Sequence, residues 1–292
     1  MAIFLKKFAH ASWLALAFYV LSLPATATVF FNDPKGFEHK FAPRMIELTI
    51  PYKGDLMTGL MYSAAGKGPH PTIILLHAFP GFEQNLDMAQ ALRRQGYNIL
   101  FFHYRGTWGS DGSYSWANSL QDVHAAIDYL KMPDNVAKYR IDQKQIHLVG
   151  HSWGGMLSLK AGGMNGTVGC IVSIAPEDWT QWLDTAADRQ SIIDYLDGIH
   201  SVDGYPSSVA LKDLINERSN WALINIIQNI GDKKTLLISA EWDQAFNTDM
   251  REKVTALAKQ AGTTDITSFS AKRIELIERT GNWLSTNCKI AP

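Results

Sequence analysis

The stretch Ile146-His147-Leu148-Val149-Gly150-His151-Ser152-Trp153-Gly154-Gly155 decides the reading of this chain. Its first four residues have the length and apolar character of a buried strand, and residues 153–161 read as a helix. Ser152 therefore stands on a strand-to-helix turn inside a G-x-S-x-G pattern. Such a turn is sharp and holds the serine in strained backbone geometry, and a Cβ on either flanking glycine would collide with the neighbouring strand or helix. Gly155 extends the close helix packing. A G-x-S-x-G in a loop says little. At this junction it marks Ser152 as a nucleophile candidate, with Gly150, His151 and Gly154 completing the elbow.

Outward from the elbow, strand-length apolar runs at 72–77, 98–104, 145–149, 169–174 and 234–239 alternate with amphipathic stretches at 85–95, 119–130, 153–161 and 249–261. Gly96 and Gly262 fall where helices end. This is the pattern of parallel strands joined by helical crossovers, so the fold class is α/β, a mostly parallel sheet with helices on both faces. Residues 45–51 and 56–62 read as an antiparallel hairpin turning at Lys53-Gly54-Asp55. The alternation stops over 177–232, which predicts a helical cap inserted at the carboxyl ends of the strands, where ligands bind in such sheets. Its Trp179, Trp182, Tyr195, Tyr205 and Trp221 fit either a pocket lining or the packing of the cap on the core.

The amino terminus is a separate matter. Lys6 and Lys7 precede an apolar run from Ala11 to Leu23 and a small-residue Ala25-Thr26-Ala27 site, the organisation of a cleaved signal peptide. The expected domains are a leader over 1–27 and one catalytic-size domain over 28–292, exported to the periplasm or medium, or membrane-anchored if the leader stays uncleaved. The 292 residues, 46% hydrophobic and 19% charged, suffice for one large core. The formal charge is −1, and −3 without the leader lysines, which points away from nucleic acid. Cys170 and Cys288 have no zinc-like spacing, so neither a metal nor another cofactor is expected. Export permits a disulfide between them, but the apolar run Cys170-Ile171-Val172 favours reading Cys170 as a core residue.

Two further motifs follow strands. His77-Ala78-Phe79-Pro80-Gly81 is similar to an H-G-x-P-G loop, and Tyr104-Arg105-Gly106-Thr107-Trp108-Gly109-Ser110 to an R-G-x-G-x-S loop. With the elbow, they make nearly all of the mature chain resemble the α/β-hydrolase family, in particular its dienelactone-hydrolase, serine-aminopeptidase and prolyl-oligopeptidase-like branches. That resemblance implies an oxyanion hole from the backbone N–H groups of Phe79 and Trp153, which stabilise charge on a tetrahedral intermediate. It implies Asp243, just beyond the strand ending near Ser239, as the acid that orients a histidine, with Asp178 as second choice. Either aspartate also fits a helix cap.

The histidine itself is missing. In this family it follows the acid, yet no histidine occurs after His200. The segment Phe269-Ser270-Ala271-Lys272-Arg273-Ile274-Glu275-Leu276 resembles the family's D-H-x-F-S-x-x-R-I-x-L, with Thr267 at the histidine position. Residues 261–268 are short for a final strand plus a catalytic loop, which predicts a truncated last strand. Among the remaining imidazoles, His200 in the cap is the possible substitute base. His151 points away from an elbow serine, and His77 opens the oxyanion loop as a structural residue.

Two readings follow. One is an exported serine hydrolase acting on an ester or peptide-like acyl bond of a small molecule or peptide, slowed by the lost base. The other is an inactive relative that binds a small molecule or a protein partner.

Overall fold

The computed structural model describes residues 32–240, 248–261, 264–269 and 273–288. The predicted signal segment and Asp243 lie outside these residues.

One sheet of eight strands organises the chain, in the order β1-β2-β4-β3-β5-β6-β7-β8. β1 (Arg44–Tyr52) and β2 (Asp55–Ser63) form the expected antiparallel hairpin. Tyr52 pairs with Asp55 across a two-residue turn in which Lys53 and Gly54 both take positive φ, the geometry that matches strand twist. β3 (His70–Leu76), β4 (Asn98–Phe102), β5 (Ile141–His151), β6 (Val168–Ile174), β7 (Lys234–Ala240) and β8 (Thr264–Phe269) run parallel to one another.

The two faces of the sheet are covered separately, and the strand period of two sorts the residues. Ile74, Leu76, Ile146 and Leu148 face one core with Val123 and Ile127 of α2 (Trp116–Lys131) and Met156 and Leu157 of α4 (Trp153–Met164). Ile73, Leu75 and Val149 face the other core with Met88 and Leu92 of α1 (Leu86–Arg94) and Leu276 and Leu284 of α10 (Arg273–Asn287). Both faces being buried is what makes the central strands continuously apolar. The short α3 (Pro133–Tyr139) leads into β5, and α9 (Thr248–Ala261) joins β7 to β8.

Between β6 and β7 lies the expected helical insertion: a 3-10 turn at Trp179–Leu183, then α5 (Ala186–Asp197), α6 (Ser207–Asn216), α7 (Arg218–Trp221) and α8 (Leu223–Gln228). It is tied to the sheet side by hydrogen bonds. Asp203 N–H donates to the Gly106 carbonyl (2.7 Å), and Trp116 Nε1–H to the Ala210 carbonyl (3.1 Å).

Two sequence expectations are corrected. The last strand is not truncated: β8 pairs with β7 over six residues, from Thr235 with Thr264 to Ala240 with Phe269. Its polar residues had concealed it, and they suit an edge strand with one neighbour. Cys170 is a core residue and also half of a disulfide with Cys288, their Cα atoms 6.0 Å apart. The bond ties β6 to the end of α10 across the core between them.

Candidate active site

Ser152 caps the amino end of α4 at φ +55°, ψ −119°, a conformation that L-residues adopt only when their surroundings enforce it. The surroundings are specific. Ser152 N–H donates to the Ile174 carbonyl (2.9 Å), and the Ser152 carbonyl accepts from Met156 N–H (3.1 Å) and Glu177 N–H (3.2 Å). A Cβ on Gly150 would lie 1.9 Å from the Gly154 oxygen, and one on Gly154 2.2 Å from the Leu76 oxygen. The glycines thus have the steric task that the motif implied. Gly154 also presses the start of α4 against the end of β3, from which the His77–Gly81 loop leaves. His151, at the end of β5, is half-buried.

That loop is held at its root. His77, 1% exposed, donates from Nδ1 to the Ala78 carbonyl (2.7 Å), and Tyr104 donates its hydroxyl to the His77 carbonyl (3.1 Å). Ala78 C=O and Phe79 N–H belong to one peptide plane, so fixing the carbonyl fixes the direction of the amide. Burial pushes the His77 imidazole down to about 3 and the neighbouring His103, 5.2 Å away ring to ring, down to about 4. Both are neutral at ordinary pH. The Trp153 amide belongs to the first turn of α4, where N–H groups have no partner within the helix and the dipole favours negative charge.

Aromatic rings fill the space between sheet, elbow and insertion. Phe79 packs on Tyr114 (4.9 Å), Trp116 (5.1 Å) and Trp179 (6.2 Å), and Trp153 on Trp116 (4.8 Å) and Trp221 (5.0 Å). Trp221 therefore belongs to the packing of the cap, whereas Tyr195 and Trp182 stay 46% and 36% exposed. Sequence reading missed the sheet-side half of this cluster, Tyr114 and Trp116, although two aromatics at the start of a helix were a visible signal.

Asp178 resolves as a structural residue. Its carboxylate accepts from Thr180 N–H (2.9 Å), Thr180 Oγ1 (2.6 Å) and Leu223 N–H (2.9 Å), capping one helix and clamping another. Burial raises its pKa against those bonds.

Among the described residues, no histidine is hydrogen-bonded to Ser152. His200 is exposed on the loop after α5. Thr267 stands inside β8, opposite Ile238, rather than on a loop after the strand, and its hydroxyl accepts from Arg279 of α10. Residues 270–272 alone separate β8 from α10.

Comparison with known proteins agrees with this architecture. The sequence model of a family described as alpha/beta hydrolase fold matches residues 71–194, from β3 through the elbow into the insertion. A polyketide transferase of Aspergillus fumigatus is 27% identical over 129 residues, and the match spans 42% of this chain and 42% of that protein. Among solved structures, an esterase of Pyrococcus furiosus superposes with a TM-score of 0.61 at 17% identity, covering 88% of this chain and 97% of the esterase. Est1E of Butyrivibrio proteoclasticus, solved with ferulic acid bound, gives 0.60 at 16%, covering 82% and 98%. Strand order and these matches together show that the chain has the α/β-hydrolase fold.

Proposed function

We propose that this protein is an exported serine hydrolase of low turnover, in which Ser152 attacks an ester or peptide-like acyl bond. Ser152 Oγ would add to the carbonyl, and the N–H groups of Phe79 and Trp153 would take the developing oxyanion. Asp243 is the acid of this reading. With no histidine hydrogen-bonded to Ser152 among the described residues, the serine proton passes to solvent in this reading, which lowers the rate by orders of magnitude but leaves the contribution of the oxyanion hole. The carrying observation is the backbone of Ser152, held at φ +55° on a turn where neither Gly150 nor Gly154 has room for a Cβ. The buried disulfide supports export, since such bonds persist in oxidising compartments.

A second reading, a non-catalytic relative that binds an acyl-like ligand or partner, is favoured by the three-residue link between β8 and α10, which carries no histidine. Labelling the purified protein with a fluorophosphonate, located by mass spectrometry, separates the two. Slow labelling confined to Ser152 and lost in Ser152→Ala is expected. A folded protein that takes up no label overturns the hydrolase reading in favour of the second.

A further inference from the structure

Trp108 is the bulkiest of the described non-glycine residues at positive φ. It sits at φ +48°, left-handed backbone that bulky side chains rarely adopt, with 41% of its surface exposed. In the R-G-x-G-x-S pattern that this loop resembles, the position is a glycine. The loop around it is over-determined. Arg105 donates from its backbone N–H (2.9 Å) and from Nε (2.5 Å) to the buried Asp122 carboxylate. Thr107 Oγ1 donates to the Tyr104 carbonyl (2.7 Å), and Ser110 Oγ to the His103 carbonyl (2.9 Å). A rigid platform thus carries one strained residue, and the polar atom of that residue has one partner: Trp108 Nε1–H donates to the Pro80 carbonyl at 2.7 Å. The same indole closes over Gly81, where a Cβ would lie 2.4 Å from Nε1, and stacks on His103.

We infer that Trp108 is a positioning residue for the oxyanion hole, an indole latch that fixes the loop just downstream of the Phe79 amide while His77 fixes it upstream. The loop has no secondary structure of its own between His77 and Gly81, and downstream of Phe79 the latch is joined only by a long hydrogen bond from Gln84 Nε2 to the Gly81 carbonyl (3.4 Å) among the described contacts. A displacement of about 1 Å in a group that meets the transition state costs about 100-fold. The inference rests on the hydrolase reading for its catalytic meaning, while the latch is a physical contact that can be tested by itself.

The test compares wild type with Trp108→Phe, which keeps a ring but deletes the N–H, and Trp108→Gly, which also removes the strained side chain. Both should keep the thermal midpoint of wild type or exceed it, and both should label with fluorophosphonate about 10- to 100-fold more slowly. In a Ser152→Cys background, alkylation by iodoacetamide develops no oxyanion, so its rate should not change on adding Trp108→Phe. Equal labelling rates, or equal slowing of phosphonylation and alkylation, overturn the inference. If wild type takes no label, the hydrolase reading falls, and hydrogen exchange at the Phe79 and Gly81 amides decides for the latch. Faster exchange in Trp108→Phe supports it, and unchanged exchange overturns it.

Discussion

Ser152 stores strain that a glycine would not. Its φ of +55° costs about 1–3 kcal/mol for an L-residue, and glycine relieves that cost while losing part of the gain to greater freedom in the unfolded chain. Ser152→Gly should therefore be more stable than wild type by about 1 kcal/mol in urea denaturation, whereas Ser152→Ala, which keeps a Cβ, should not. Equal midpoints for all three proteins would mean that the turn holds no strain. This residue was legible in the sequence because the strand, the glycines and the helix start that mark the elbow lie within ten consecutive positions. The roles of His77 and Tyr104 around the Phe79 amide were not legible, since those contacts join loops from different strands.

At the scale of elements, the apolar central strands could be read directly, and the polar pieces could not. β5 begins at Ile141, four residues before its expected start, because Asp142, Gln143 and Lys144 are polar and half-buried or exposed. α3 was missed altogether: seven residues opening with proline give too little periodicity to detect. The disulfide was underestimated because an apolar run around Cys170 is equally consistent with a free core thiol. Its removal has a measurable consequence. The bond closes a loop of 118 residues and holds the end of α10 on the sheet, so Cys288→Ala should lower stability by about 2–5 kcal/mol. Wild type with a reductant that breaks the bond should unfold at the same temperature as the variant. A variant as stable as oxidised wild type would show that α10 holds by its apolar contacts alone.

For the whole molecule, buried imidazoles set the response to acid. Burial pushes His77 down to about 3, and His147 and His103 down to about 4. An unfolded chain takes up these protons below about pH 6.5, which the folded chain refuses until pH 3–4. Stability is therefore complete above about pH 6.5 and falls as the pH drops towards about 4. Asp122, pushed up to about 6 by burial against the pull of Arg105, and Asp178 work in the opposite direction. The net loss expected is about 1–2 kcal/mol per pH unit between pH 6 and pH 4, read from denaturation midpoints across that range. His147→Asn should flatten the slope. Stability that is constant or rises towards pH 4 would refute the assignment of these imidazoles as neutral.

The fully paired final strand and its three-residue link to α10 also bear on evolutionary reversibility. Only residues 270–272 lie between β8 and α10, and three residues span about 10 Å when fully extended. A histidine written into position 267 would remain within the strand, where Thr267 meets Arg279. An exchange of one side chain for another does not lengthen a backbone. A descendant of this sequence would have to gain codons, and not merely alter them, to place an imidazole over Ser152 from this end of the chain.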